Sequence, residues 1–113
     1  MFNILVFRKL IELKGRVAMQ IKMKAAAGTL ESGDIMISLE KGERGFEIDL
    51  KSTVEKQYGE QIREVIKKTL ADLGATEVKV VANDRGALDC TIKARVMAAY
   101  YRATESKDYK WGE

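Results

Sequence analysis

The stretch STVEKQYGEQIREVIKKTLADLG, residues 52–74, decides how the rest of the chain is divided. Its apolar residues Val54, Tyr58, Ile62, Val65, Ile66, Leu70 and Leu73 recur at three- and four-residue steps, the pattern of a helix with one buried face. Ser52 and Glu55 have the spacing of a capping box, in which each side chain satisfies a backbone amide left free at the helix start. Gly74 stands where a helix ends in a left-handed residue, a conformation glycine adopts without a Cβ penalty. Gly59 falls inside the helix at a cost of about 1 kcal/mol relative to alanine, so either a close contact or a weak first turn is expected there.

On the N-terminal side the period changes to two. Ile35, Ile37 and Leu39 alternate with Met36, Ser38 and Glu40, and Phe46, Ile48 and Leu50 alternate with Glu47, Asp49 and Lys51. The glycines of Lys41-Gly42-Glu43-Arg44-Gly45 suit a hairpin loop, so the two strands are expected to pair antiparallel. On the C-terminal side, Glu77 to Ala82 is a third strand and Asn83-Asp84-Arg85-Gly86 is turn-forming sequence. Leu88, Cys90 and Ile92 alternate with Asp89, Thr91 and Lys93, yet Leu88, Ile92, Val96 and Tyr100 also fit a helix. The expectation is a strand to about Lys93 and a helix from there to Ala103. The predicted fold is therefore α+β: a single small domain in ββαββα order, with an antiparallel sheet of two hairpins and helices packed on one face.

Composition narrows the chemistry. With 113 residues, 46% hydrophobic and 33% charged, the chain can bury one modest core. It has no His, no Pro and one Cys, which removes disulfide frameworks, Cys/His zinc sites and nucleophiles activated by an imidazole. The lone Cys fits a reducing, cytoplasmic setting, and no apolar run approaches the roughly 20 residues of a membrane span. The net charge of +3 is confined to residues 1–18, where Arg8, Lys9, Lys14 and Arg16 face Glu12 alone; the remainder is balanced. A nucleic-acid surface is therefore not expected. Residues 1–18 also lack the order of a secretory signal, because their apolar run precedes their positive charge.

Four blocks carry a resemblance. They are Gly28-Thr29-Leu30-Glu31-Ser32-Gly33-Asp34, Ser52-x-Val54-Glu55-Lys56-Gln57-Tyr58-Gly59, Asp84-x-Gly86-Ala87-Leu88-Asp89-Cys90 and Ala94-Arg95-Val96. In this order and spacing they resemble the acyl carrier (gamma) subunits of citrate lyase, from about Met19 to Ala103. The resemblance implies a non-catalytic carrier whose Ser32 holds 2'-(5''-phosphoribosyl)-3'-dephospho-CoA through a phosphodiester. It implies that the thiol of that group takes acetyl and citryl groups between acyltransferase (alpha) and lyase (beta) subunits. A transferase that attaches the group and a ligase that acetylates it are the further partners implied. Members of the family begin near Met19, so residues 1–18 are expected to be a leader or extension, 19–104 the carrier domain and 105–113 a polar tail in which Tyr109 and Trp111 are able to dock. The alternatives are the related carrier of malonate decarboxylase and a non-carrier α+β binding module.

From the residues alone Ser32 is a loop serine, and Ser32-Gly33 between apolar segments makes a turn able to project a hydroxyl. Glu31, Gly33 and Asp34 surround it as candidate recognition residues. Without a base or metal the two acids are not expected to perform acid–base chemistry; as like charges they are expected to keep a phosphate-bearing arm away from the domain and to face a basic patch on the loading enzyme. Alternation places Cys90 on the buried face, as a small hydrophobe, and leaves Asp89 without a role.

Overall fold

The computed structural model describes residues 21–104. Its elements are β1 (Ala25–Ala27), β2 (Ile35–Lys41), β3 (Phe46–Ser52), α1 (Glu55–Asp72), β4 (Val78–Asp84) and α2 (Asp89–Thr104). The expected leader at 1–18 and tail at 105–113 lie outside the described residues.

The α+β class and the helix-covered sheet agree with the sequence reading, but the strand pairing does not. The strands lie in the order β1-β2-β4-β3. β2 and β4 pair antiparallel from Ile35↔Asp84 to Lys41↔Val78. β3 runs parallel to β4 from Phe46↔Val78 to Ser52↔Asp84, so β2 and β3 form no hairpin and the sheet is mixed. The 18-residue α1 supplies the long connection that a parallel pair requires. β4, with buried Val78, Val80 and Ala82, takes a central place where both edges are paired. β3, with exposed Glu47, Asp49 and Lys51, takes an edge that charge protects from further pairing.

The loop glycines serve a crossover instead of a hairpin. Residues 42–45 pass over the start of β4 to reach a strand two positions away, about 10 Å at ordinary strand spacing. A Cβ on Gly42 would sit 2.9 Å from the Val78 carbonyl carbon. The Gly45 carbonyl, at φ +55°, accepts the Val78 N–H at 3.0 Å.

The alternation does set the core face. Ile35, Ile37, Leu39, Leu50, Val78, Val80 and Ala82 are buried with Ile62, Ile66 and Leu70 of α1 and Ile92, Val96 and Ala99 of α2. α1 packs on β3, α2 on β1 and β2, and the helices on each other. β1, a run of three alanines with no strand signal in its composition, pairs with β2 from Ala25↔Leu39 to Ala27↔Ile37.

The end of α1 is as expected and its start is not. The Ala75 N–H donates to the Leu70 carbonyl and the Gly74 N–H to the Ala71 carbonyl, with Gly74 at φ +86°, which is a Schellman motif closed by buried Leu70 and Ala75. No capping box forms, because Ser52 is held in the last rung of β3 and the cap falls at Val54 without a side-chain bond. Ser52 Oγ instead accepts the Val54 N–H at 3.0 Å and donates to Asp84 at 2.8 Å. Gly59 has a close contact: Glu55 and Arg63, one turn to either side, meet above it at 3.1 Å, and a Cβ would sit 3.0 Å from Glu55 Cγ.

Helix α2 begins at Asp89, so residues 88–93 are not a strand. A strand returning after β4 would need a free edge beside it, and β2 and β3 occupy both. The helical period through Ile92, Val96 and Tyr100 therefore prevails. Cys90 is consequently exposed in the first turn of α2, not buried beside Leu88 and Ile92, and Leu88 is itself 70% exposed.

Candidate functional site

The loop from β1 to β2 carries Ser32, and its two ends are fixed differently. At the β1 end Gly28 has φ +104°, and a Cβ there would overlap the Ile35 carbonyl oxygen, so the chain leaves β1 in a conformation only glycine permits. At the other end, the Asp34 N–H donates to the Glu31 carbonyl at 3.0 Å, closing a turn with Gly33 at φ +83° in its third place. Ser32 occupies the second place and is exposed, as are Leu30, Glu31 and Gly33. The space where a Gly33 side chain would lie is open.

Asp34 organises the base of this turn. Its carboxylate accepts from Thr29 Oγ1 at 2.7 Å, from the Ile35 N–H at 2.7 Å, and from Arg95 Nε and Nη2 at 3.0 and 2.9 Å. The last two make a bidentate fork, the strongest common carboxylate geometry. The fork, then the Thr29 and Ile35 bonds, hold the Asp34 carboxyl well below the usual carboxylate range, and the same pair raises Arg95 above its ordinary value. With 14% of its side chain accessible, Asp34 is engaged within the domain; of the two acids beside Ser32, Glu31 alone is left without a partner among the described residues.

A second tether comes from the β4–α2 turn. The Gly33 N–H donates to the Arg85 carbonyl at 2.7 Å, and the Arg85 N–H to the Asp34 carbonyl at 2.9 Å. That turn is built on Asp84, which is 1% exposed and accepts from Ser52 Oγ and from the N–H groups of Gly86 and Ala87, the latter two at 3.0 Å. Asp89 accepts both of its contacts from Gln61 Nε2, at 3.1 and 3.2 Å, linking the two helices.

The structure thus joins three of the four resembling blocks around Ser32: its own loop, the Asp84–Gly86 turn and Arg95. Sequence reasoning missed Arg95 and Arg85 as site residues. Arg95 falls within the helix expected from Lys93 to Ala103, but nothing local in the sequence ties it to Asp34, 61 positions away. Among the described residues no group of three or more His, Cys, Asp or Glu is placed to hold a metal ion, and no helix is long and apolar enough to cross a membrane.

Residues 22–103 match the family described as malonate decarboxylase delta subunit. The citrate lyase acyl carrier protein of Lacticaseibacillus casei is 59% identical over 95 residues, covering 84% of this chain and 94% of that protein. The protein of the same name from Streptococcus mutans is 50% identical over 96 residues, again with 84% and 94% coverage. Among solved structures, a chain of a Pseudomonas malonate decarboxylase hetero-tetramer crystallised with malonate has the same fold, with TM-score 0.64, 19% identity, and coverage of 76% of this chain and 90% of that one.

Proposed function

Because the chain belongs to the family of citrate lyase acyl carrier proteins, and so works as a carrier bearing a prosthetic group, we propose that Ser32 is the attachment residue and that the group is 2'-(5''-phosphoribosyl)-3'-dephospho-CoA. The observation that supports this reading is a contrast within one turn: Ser32 stands exposed at the tip while Asp34, two residues on, is locked by a bidentate fork from α2. The open space beside Gly33 leaves room for a bulky substituent on the neighbouring hydroxyl.

When bound, the group supplies a thiol on which acetyl and citryl are held. The chain's own contribution is mechanical and electrostatic. The Arg95 fork and the Arg85 backbone bonds fix the base of the turn, so that Ser32 Oγ is offered at a defined place to an enzyme surface. Glu31 is the acid left to meet a basic patch on the transferase that loads the serine. On this reading the chain works in the cytoplasm within a citrate-cleaving complex, visiting acyltransferase and lyase subunits and being served by the transferase and an acetylating ligase. Identities of 50–59% to citrate lyase carriers favour that cargo over malonate.

Intact mass followed by peptide mapping of the chain from cells that express the loading enzyme tests this reading. A single modified residue, Ser32, with the mass of the phosphoribosyl-dephospho-CoA group is expected. Modification elsewhere, or full loading of Ser32→Ala, would defeat it.

A further inference from the structure

A cleft of about 380 Å³ opens beside the Ser32 turn, between the first half of α1 and the start of α2. Val54 and Tyr58 line one wall, Gly86 and Leu88 the other, with Gln61 and Asp89 between. Tyr58 is 52% exposed and Leu88 70% exposed, so this part of the surface presents a large apolar side chain from each wall. Neither contributes to the core. Apolar surface displayed on both sides of one cleft marks a place where something flat or apolar is received, and the volume lies in the range of small-ligand sites.

The occupant is indicated by what adjoins the cleft. Arg85 bonds through its backbone to Gly33 and Asp34, the residues that follow Ser32, and the next residue, Gly86, already lines the cleft. From Ser32 to Gly86 is therefore within about 13 Å by backbone geometry. The Arg85 backbone lies between a serine proposed to carry a phosphodiester and a cleft with an exposed aromatic ring, and its exposed guanidinium has no partner among the described residues. The polar side of the cleft carries the Asp89 carboxylate, which takes both of its bonds from one Gln61 nitrogen and retains acceptor capacity for an amino group. Phosphate at the mouth, a ring between Tyr58 and Leu88 and an exocyclic amine near Asp89 together describe an adenine nucleotide.

We propose that this cleft is a resting seat for the nucleotide part of the group carried on Ser32, with Arg85 holding its phosphate. The inference rests on Ser32 being the attachment site. It also departs from the expectation that two acids hold the arm away, because Asp34 is paired with Arg95 and only Glu31 is left to repel the arm. A seat open to solvent on one side is shallow enough to be left when a partner surface takes the arm, so the loaded protein divides between seated and released forms.

The test compares backbone amide spectra of the full-length 15N-labelled chain before and after loading, with loading at Ser32 verified by mass. Shifts are expected at Tyr58, Gln61, Leu88 and Asp89 as well as in the Ser32 turn. Leu88→Lys and, separately, Arg85→Gln should reduce the cleft shifts by half or more while the Ser32-turn shifts persist; both side chains are exposed, so the fold is retained. Raising salt to about 1 M should reduce the cleft shifts in the wild type through screening of Arg85. Complete loading at Ser32 with shifts confined to residues 29–34 and 85 would overturn the seat and leave the attachment site standing. Absence of the group from Ser32 would overturn both.

Discussion

At the scale of single residues, the Ser32 loop depends on two glycines with unequal demands. Gly33 has φ +83° but open space around it, so Gly33→Ala should cost about 1–2 kcal/mol, the ordinary penalty for a left-handed residue. Gly28 adds a collision with the Ile35 carbonyl to its positive φ, so Gly28→Ala should cost about 3 kcal/mol or more and shift the register of the loop. Denaturant unfolding of both variants checks the order; equal losses would deny the close approach at Gly28. Asp34 yields a pH signature. Its folded-state pKa is depressed, chiefly by Arg95, so its stabilising contribution is complete above the unfolded-state value of about 3.9 and is lost as pH falls toward the folded value. The stability gap between wild type and Asp34→Asn should stay level from neutral pH to about pH 5 and close below about pH 4. A gap unchanged into strong acid would mean that the carboxylate charge contributes nothing. Ser32→Ala, at an exposed turn tip, should alter stability by no more than about 0.5 kcal/mol while removing the modification.

At the scale of elements, α1 shows how far period alone can be trusted. Leu70, fully buried and itself part of the Schellman closure, should cost about 2–5 kcal/mol on truncation to alanine. Tyr58 belongs to the same predicted stripe, yet it is half exposed, and Tyr58→Ala should cost well under that range. The difference arises because Tyr58 lines the open cleft between the two helices, whereas Leu70 belongs to the buried core. α2 provides a chemical check on the corrected boundary. With the helix starting at Asp89, Cys90 faces solvent, so the folded chain should react with one equivalent of a thiol reagent without denaturant. Reaction only after unfolding would restore the strand reading of residues 88–93.

At the scale of the whole molecule, the core formed by the sheet and two helices lies within the described residues, so the chain without residues 1–18 is expected to keep a single cooperative unfolding transition; a large loss of stability would show that the extension packs on the domain. Much of this molecule was legible in local sequence. The alternation of Ile35-Ile37-Leu39 and the helical step of Ile62-Ile66-Leu70 identified the buried faces, Gly74 marked the helix end, and Ser32-Gly33 marked an exposed turn, because each is governed by φ/ψ preference and side-chain period over a few residues. Strand neighbours were not legible. The short Gly42–Gly45 loop favours a hairpin by itself, but β4 competes for the same edge of β2, wins it across seven rungs, and thereby leaves β3 parallel and residues 88–93 without a partner. The site followed the same logic: its exposed serine belongs to a local turn, whereas the fork that steadies it joins Asp34 to Arg95 across 61 positions and exists only because α2 is laid over β1 and β2. Competition for sheet edges and pairing between distant charges depend on what the whole chain places nearby, and that is decided by the tertiary structure.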